Sequence, residues 1–143
     1  MQKNESMTRK EFSEKMVECR EEAKCGKNEL CRRAGLTFNQ LQRLESASNN
    51  FSIDNVFSYL NAIKYKMYIV QGNNRLYFKN REVLAPFFKK LRESTGMSQK
   101  DFAVSVKLSH LVIVGIENNN KNTAIDSLLL CLQALNCQIS FKN

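Results

Sequence analysis

The side chains with the widest reach for chemistry stand in one short stretch: Phe38, Asn39, Gln40, Gln42 and Arg43, threaded around Leu41 and Leu44. If the two leucines point inward from a helix, these five positions are left for a partner. Four of them carry hydrogen-bonding groups. Asn and Gln can bond adenine bidentately and Arg can do so to guanine, each such pair discriminating by roughly 1 to 3 kcal/mol. Other chemistry is thin. The one histidine, His110, belongs to no catalytic constellation with Asp, Ser or Cys, so the chain is read as a non-enzyme with no cofactor and no metal.

The five cysteines are Cys19, Cys25, Cys31, Cys131 and Cys137, odd in number and opening with Cys-x5-Cys spacing. Neither a complete disulfide framework nor the C-x2-C spacing of a zinc site fits. They read as reduced thiols filling the core of a cytoplasmic protein.

The elements that must hold these residues can be bounded from composition. With 143 residues and 43% apolar content, the chain can bury the core of one ordinary domain or two very small ones. No apolar run approaches the roughly 18 to 20 residues of a membrane span, and Met1–Lys10 is polar throughout, so neither a span nor a secretion signal is expected. Lys and Arg outnumber Asp and Glu by 22 to 14, a net charge of +8 that favours a polyanionic partner.

An internal repeat organises the rest. Sliding the chain by 72 residues pairs Phe12–Gln71 with Leu84–Asn143, and nine of the sixty pairs are identical, among them Arg20 with Arg92, Glu45 with Glu117 and Asp54 with Asp126. Leu30, Cys31, Ala34, Leu36, Leu41 and Leu44 fall on Phe102, Ala103, Val106, Leu108, Ile113 and Ile116, so the apolar frame of the middle segment recurs. The expected units are residues 1–71 and 72–143.

Within each unit the spacing predicts helices. Thr8-Arg9-Lys10-Glu11 has a capping-box pattern, followed by Phe12, Met16, Cys19 and Ala23 on one face. The matching helix carries Leu84, Phe88 and Leu91, with Pro86 expected in its first turn. Short helices follow at about 27–34 and 38–45, and at 99–106 and 110–117, with Thr37 and Ser109 as N-caps. Beyond the polar loops 46–52 and 118–123, Ile53, Val56, Phe57, Leu60 and Ile63 mark one more helix, and Ile125, Leu128, Leu129, Leu132 and Leu135 mark its counterpart. Extended stretches at 66–70, 75–78 and 138–141 predict a hairpin and a small antiparallel sheet that joins the units as a covalent pseudo-dimer. The fold class is mainly α, two helical bundles linked by a β-hairpin.

Ser98-Gln99-Lys100-Asp101-Phe102-Ala103, Leu108-Ser109 and Ile113-x-x-Ile116-Glu117 resemble the helix-turn-helix of phage lambda-type repressors, the Cro/Xre family; Lys27–Cys31, Gly35-Leu36-Thr37 and Leu41-x-x-Leu44-Glu45 repeat the frame. The resemblance implies that the second helix of each motif enters the major groove of double-stranded DNA while the first crosses the backbone. It also implies helix-to-helix salt bridges from Arg20 to Glu45 and from Arg92 to Glu117. On this reading Thr37, Phe38, Asn39, Gln40, Gln42 and Arg43 are DNA-contact candidates in the first unit, with Lys24, Lys27 and Arg32 on phosphates. Gln99, Ser109 and His110 are candidates in the second.

The second unit differs at the readout positions, which are His110, Leu111, Val112, Val114 and Gly115. Three aliphatics there point to thymine-methyl contacts at most, or to a protein interface formed by Leu111, Val112 and Val114. Net charge is +3 for residues 1–71 and +5 for 72–143, so phosphate attraction persists in both. The expected function is a sequence-specific DNA-binding transcriptional regulator. The rival is an antitoxin-like interaction module whose apolar second face binds a protein, or a second copy in a homodimer.

Overall fold

In a computed structural model, described for residues 7–119 and 123–143, four helices, two strands, four more helices and a last strand follow one another. The elements are α1 (Arg9–Glu22), α2 (Lys27–Ala34), α3 (Phe38–Ser46), α4 (Ile53–Ala62), β1 (Lys66–Gln71), β2 (Asn74–Phe78), α5 (Arg81–Ser94), α6 (Gln99–Val106), α7 (His110–Glu117), α8 (Ile125–Ala134) and β3 (Gln138–Lys142). Helices α5 to α8 and strand β3 each begin 72 residues after α1 to α4 and β1. Of the loop expected over 118–123, residues 120–122 lie outside the described residues.

Local chemistry sets most boundaries. Thr8 accepts from the Glu11 backbone N–H at 3.1 Å and starts α1, but its hydroxyl donates to the Glu11 carboxylate, so only half of the expected capping box forms. The box is complete at α3, where Thr37 Oγ1 accepts from Gln40 N–H at 3.1 Å and Gln40 Oε1 accepts from Thr37 N–H at 2.9 Å. Ser109 begins α7 without a side-chain cap bond, against expectation. Ala23 is the exposed C-cap of α1 rather than a core position, because the helix ends one residue before it.

Pro86 also sits differently from expectation. It lies in the second turn of α5, not the first, because the helix starts at Arg81 under a cap from Asn80, whose Oδ1 accepts from Val83 N–H at 3.0 Å. Tertiary contacts hold that early start: Arg81 bonds Asp54 at 2.5 Å and the Asn119 carbonyl at 2.8 Å. The carbonyl of Glu82 therefore has no i+4 amide to accept from.

The sheet runs β2-β1-β3, antiparallel throughout, with Tyr68 opposite Tyr77 on one side and Ser140 on the other. The hairpin turns on Gly72-Asn73, with Gly72 at φ +58°, the first central position where a two-residue type II′ loop takes glycine. Met67, Ile69, Phe78 and Ile139 face inward into one core that runs through both halves of the chain. Phe12 packs edge-on against Phe141 at 5.2 Å and Phe57 against Phe78 at 5.8 Å, tying α1 and α4 to the sheet.

Candidate nucleic-acid interface

Two buried ion pairs hold α3 and α7 in place. Arg20 at the end of α1 grips Glu45 of α3 through Nε to Oε2 at 2.7 Å and Nη2 to Oε1 at 3.2 Å, while its Nη1 donates to the Cys25 carbonyl at 3.1 Å. Arg92 of α5 repeats the arrangement with Glu117 of α7 at 2.6 and 2.9 Å and with the Met97 carbonyl at 2.8 Å. Each guanidinium thus ties the first helix of its half to the third and to the turn before the second. The salt bridges implied by the resemblance are present. Their third donors differ: Tyr59 Oη bonds Glu45 at 2.5 Å, whereas Gln99 Nε2 bonds Glu117 at 3.1 Å. That carboxylate, together with burial, pushes the Tyr59 hydroxyl well above the usual tyrosine range, burial being the larger cause.

With Leu41 and Leu44 fully buried, α3 turns Phe38, Asn39, Gln40, Gln42 and Arg43 to solvent. Two of these amides are partly engaged. Gln40 spends its oxygen on the capping box and keeps its NH2 free to donate, and Gln42 Oε1 accepts from Lys27 Nζ at 3.0 Å. Lys27 also lies 4.0 Å from Glu45, so it is a bridging residue as well as a phosphate candidate. Arg32 is 78% exposed and 3.7 Å from Glu29, and Lys24 is exposed in the left-handed region at φ +54°. Asn39 and Arg43 face outward. Arg43 and Gln40 border a groove of about 310 Å³ whose far wall is Asn50, Phe51, Ser52, Asn55 and Ala124. Sequence reasoning missed Asn50 and Asn55 there, since a polar loop and a helix face carry no periodic signal of what they oppose.

Helix α7 presents a different surface. His110 and Ser109 are exposed and Leu111 is 78% exposed, but Val112 packs against the core and Val114 is half-buried. Of the three aliphatics expected outside, one is therefore fully available. The reason is helix geometry: with Ile113 and Ile116 buried, Val112 and Val114 flank Ile113 on either side and fall at the margins of the buried stripe, whereas Leu111 lies farther round the helix. Val104 on α6, at 72% exposure, is the apolar surface residue that sequence reading did not single out. Gln99 is drawn into the Glu117 pair instead of standing free.

A helix-turn-helix family model matches residues 88–142. That segment runs from the second half of α5 through β3 and carries a Cro/Xre-like helix-turn-helix. No curated protein and no solved structure matches the chain. Among the described residues no helix is long and apolar enough to cross a membrane, and no cluster of three or more His, Cys, Asp or Glu could hold a metal ion.

Proposed function

We propose that this protein is a DNA-binding transcriptional regulator in which tandem helix-turn-helix units, residues 1–71 and 72–143, act as a covalent pseudo-dimer on double-stranded DNA. The observation that carries the reading is α3, a helix anchored by two buried leucines and a buried ion pair that turns Asn39, Gln40, Gln42 and Arg43 outward together. A rigid helix with this outer face suits the major groove, where such side chains meet base edges. The family match to 88–142 supports a helix-turn-helix in the second half, and the 72-residue offset of every matching element supports the same plan in the first. The first unit reads bases. The second contributes phosphate attraction, His110 and a methyl contact from Leu111.

The test is selection from a random duplex pool followed by footprinting of the enriched site. Enrichment of a motif with one information-rich half and one poorer half is expected. A pool that enriches nothing would refute the reading.

A second reading keeps the apolar surface of the second half, Leu111 with Val104, for a protein partner or a second copy. Dissociation of a parent dimer by Leu111→Asp would favour it. A parent that is monomeric at micromolar concentration and protects two adjacent major-groove faces would exclude it.

A further inference from the structure

The outer face of the sheet is not used by the reading above. Alternation along the strands sends Met67, Ile69 and Phe78 into the core and leaves Lys66, Tyr68, Arg75, Tyr77 and Lys142 on the opposite side. The register places Tyr68 directly across from Tyr77, with ring centroids 5.6 Å apart. The Arg75 guanidinium lies 4.7 Å from the Tyr68 ring centre and Lys66 Nζ lies 5.3 Å from that of Tyr77. Two rings and two cations thus form one continuous layer. No acidic residue occurs in the sequence between Asp54 and Glu82 or after Asp126, so nothing on the strands neutralises it. Carboxylates approach the sheet at the β3 edge, where Glu18 and Glu22 line a groove with Tyr65 and Phe141.

We infer that this face, on its β1–β2 side, binds a single-stranded polynucleotide. The exposed Tyr77 ring and the planar Arg75 guanidinium, itself laid over the half-buried Tyr68 ring, offer stacking surfaces to unpaired bases, and the flanking lysines run beside the phosphates. The Arg75–Tyr68 stack is already assembled, so a base meets a formed platform. A duplex keeps its base faces covered and cannot use the rings. An acidic polypeptide would satisfy the cations and leave both tyrosines with nothing to stack on. Stacking and charge take no account of the sugar, so DNA and RNA strands bind alike. The site is separate from α3: the loop bordering the α3 groove and strand β1 sit at opposite ends of α4, whose ten residues span about 15 Å. The inference therefore does not rest on duplex reading by α3.

The experiment is a fluorescence-anisotropy titration of the full chain against a labelled fifteen-nucleotide oligothymidylate, with oligouridylate and a polyglutamate peptide in parallel arms. Tyrosine emission, in a chain with four tyrosines and no tryptophan, is followed alongside. Oligothymidylate and oligouridylate should bind within a few-fold of each other and quench tyrosine. Tyr77→Ala and Arg75→Ala should each weaken binding roughly 5- to 150-fold, the range for loss of one stacked base. Tyr77→Phe should keep the affinity, and Asn39→Ala should leave it unchanged. Tyr77 is 38% exposed, so its truncation opens no core cavity, and circular dichroism verifies the fold. The inference is overturned by absent strand binding, by equal affinities of the Tyr77→Ala and Tyr77→Phe proteins, by loss of strand binding in Asn39→Ala, or by polyglutamate displacing the strand at equal charge.

Discussion

Ser52 and Ala124 oppose each other in an isolated antiparallel bridge, 72 positions apart and immediately before α4 and α8. The flanking bonds run in both directions: Ile53 N–H to the Thr123 carbonyl at 3.0 Å, and Ile125 N–H to the Phe51 carbonyl at 2.9 Å. The outer ion pairs cross in the same reciprocal way, Arg9 with Asp126 at 2.7 Å and Arg81 with Asp54 at 2.5 Å. In the sheet, Met67 faces Phe141 and Ile69 faces Ile139 about the central pair Tyr68 and Ser140. Each contact has a counterpart with the two halves exchanged, the form that an isologous dimer interface takes.

This shared seam predicts cooperative unfolding. A fragment of residues 1–71 keeps β1 but loses both of its strand partners and the Phe12–Phe141 contact, and it should be largely unfolded, while the full chain unfolds in urea in one transition. A fragment with native-like helicity and its own cooperative melt would contradict the prediction.

The buried and exposed ion pairs should differ sharply. Glu117, 1% exposed, leaves a buried guanidinium unpaired when removed, so Glu117→Ala should cost about 3 to 5 kcal/mol in urea unfolding. Arg9→Ala breaks a pair with Asp126 at 48% exposure and should cost about 1 kcal/mol or less. Equal effects would place the stabilisation elsewhere.

Gly35 and Lys107 end α2 and α6 in the same left-handed conformation, at φ +70° and +59°. An L side chain is disfavoured there, so Lys107→Gly should raise stability by about 1 kcal/mol and Gly35→Lys should lower it by about the same. Thermal melts of the two variants measure this directly.

For duplex binding, Asn39→Ala and Arg43→Ala should each cost about 1 to 3 kcal/mol on the selected site and relax base choice at one position. Lys24→Ala should instead weaken all sequences alike and reduce the salt slope by about 1. Gel shifts on the selected site and on a scrambled duplex, at two salt concentrations, distinguish them.

Alkaline pH should destabilise the fold. Burial pushes the thiols of Cys19 and Cys137 from 9.0 to about 11 and that of Cys131 to about 12. Because the folded state holds these protons more tightly, their contribution is complete below pH 9 and is lost as pH rises through about 9 to 12, where the unfolded chain ionises first. The urea midpoint should fall over that window and stay level with respect to these groups below it. Of the cysteines, half-buried Cys31 should react first with iodoacetamide, as mass spectrometry of the labelled chain would reveal.

The sequence by itself determined where the helices and strands lie, because caps and apolar periodicity are local. The spacing of Leu30, Leu41 and Leu44 and of Phe102, Ile113 and Ile116 placed four short helices to within a residue, and the 66–70, 75–78 and 138–141 stretches became the three strands. The polar face of α3 was legible for the same reason. Tertiary structure decided what those side chains were free to do. Gln99 was drawn to Glu117, Gln42 to Lys27, and Val112 was packed against the core, since each outcome depends on an element many residues away. The start of α5, and with it the place of Pro86, was set by Asp54 of α4 and Asn119 of the turn after α7 reaching Arg81. The Lys66, Tyr68, Arg75 and Tyr77 layer exists only once cross-strand register brings the residues face to face, and composition alone cannot supply that register.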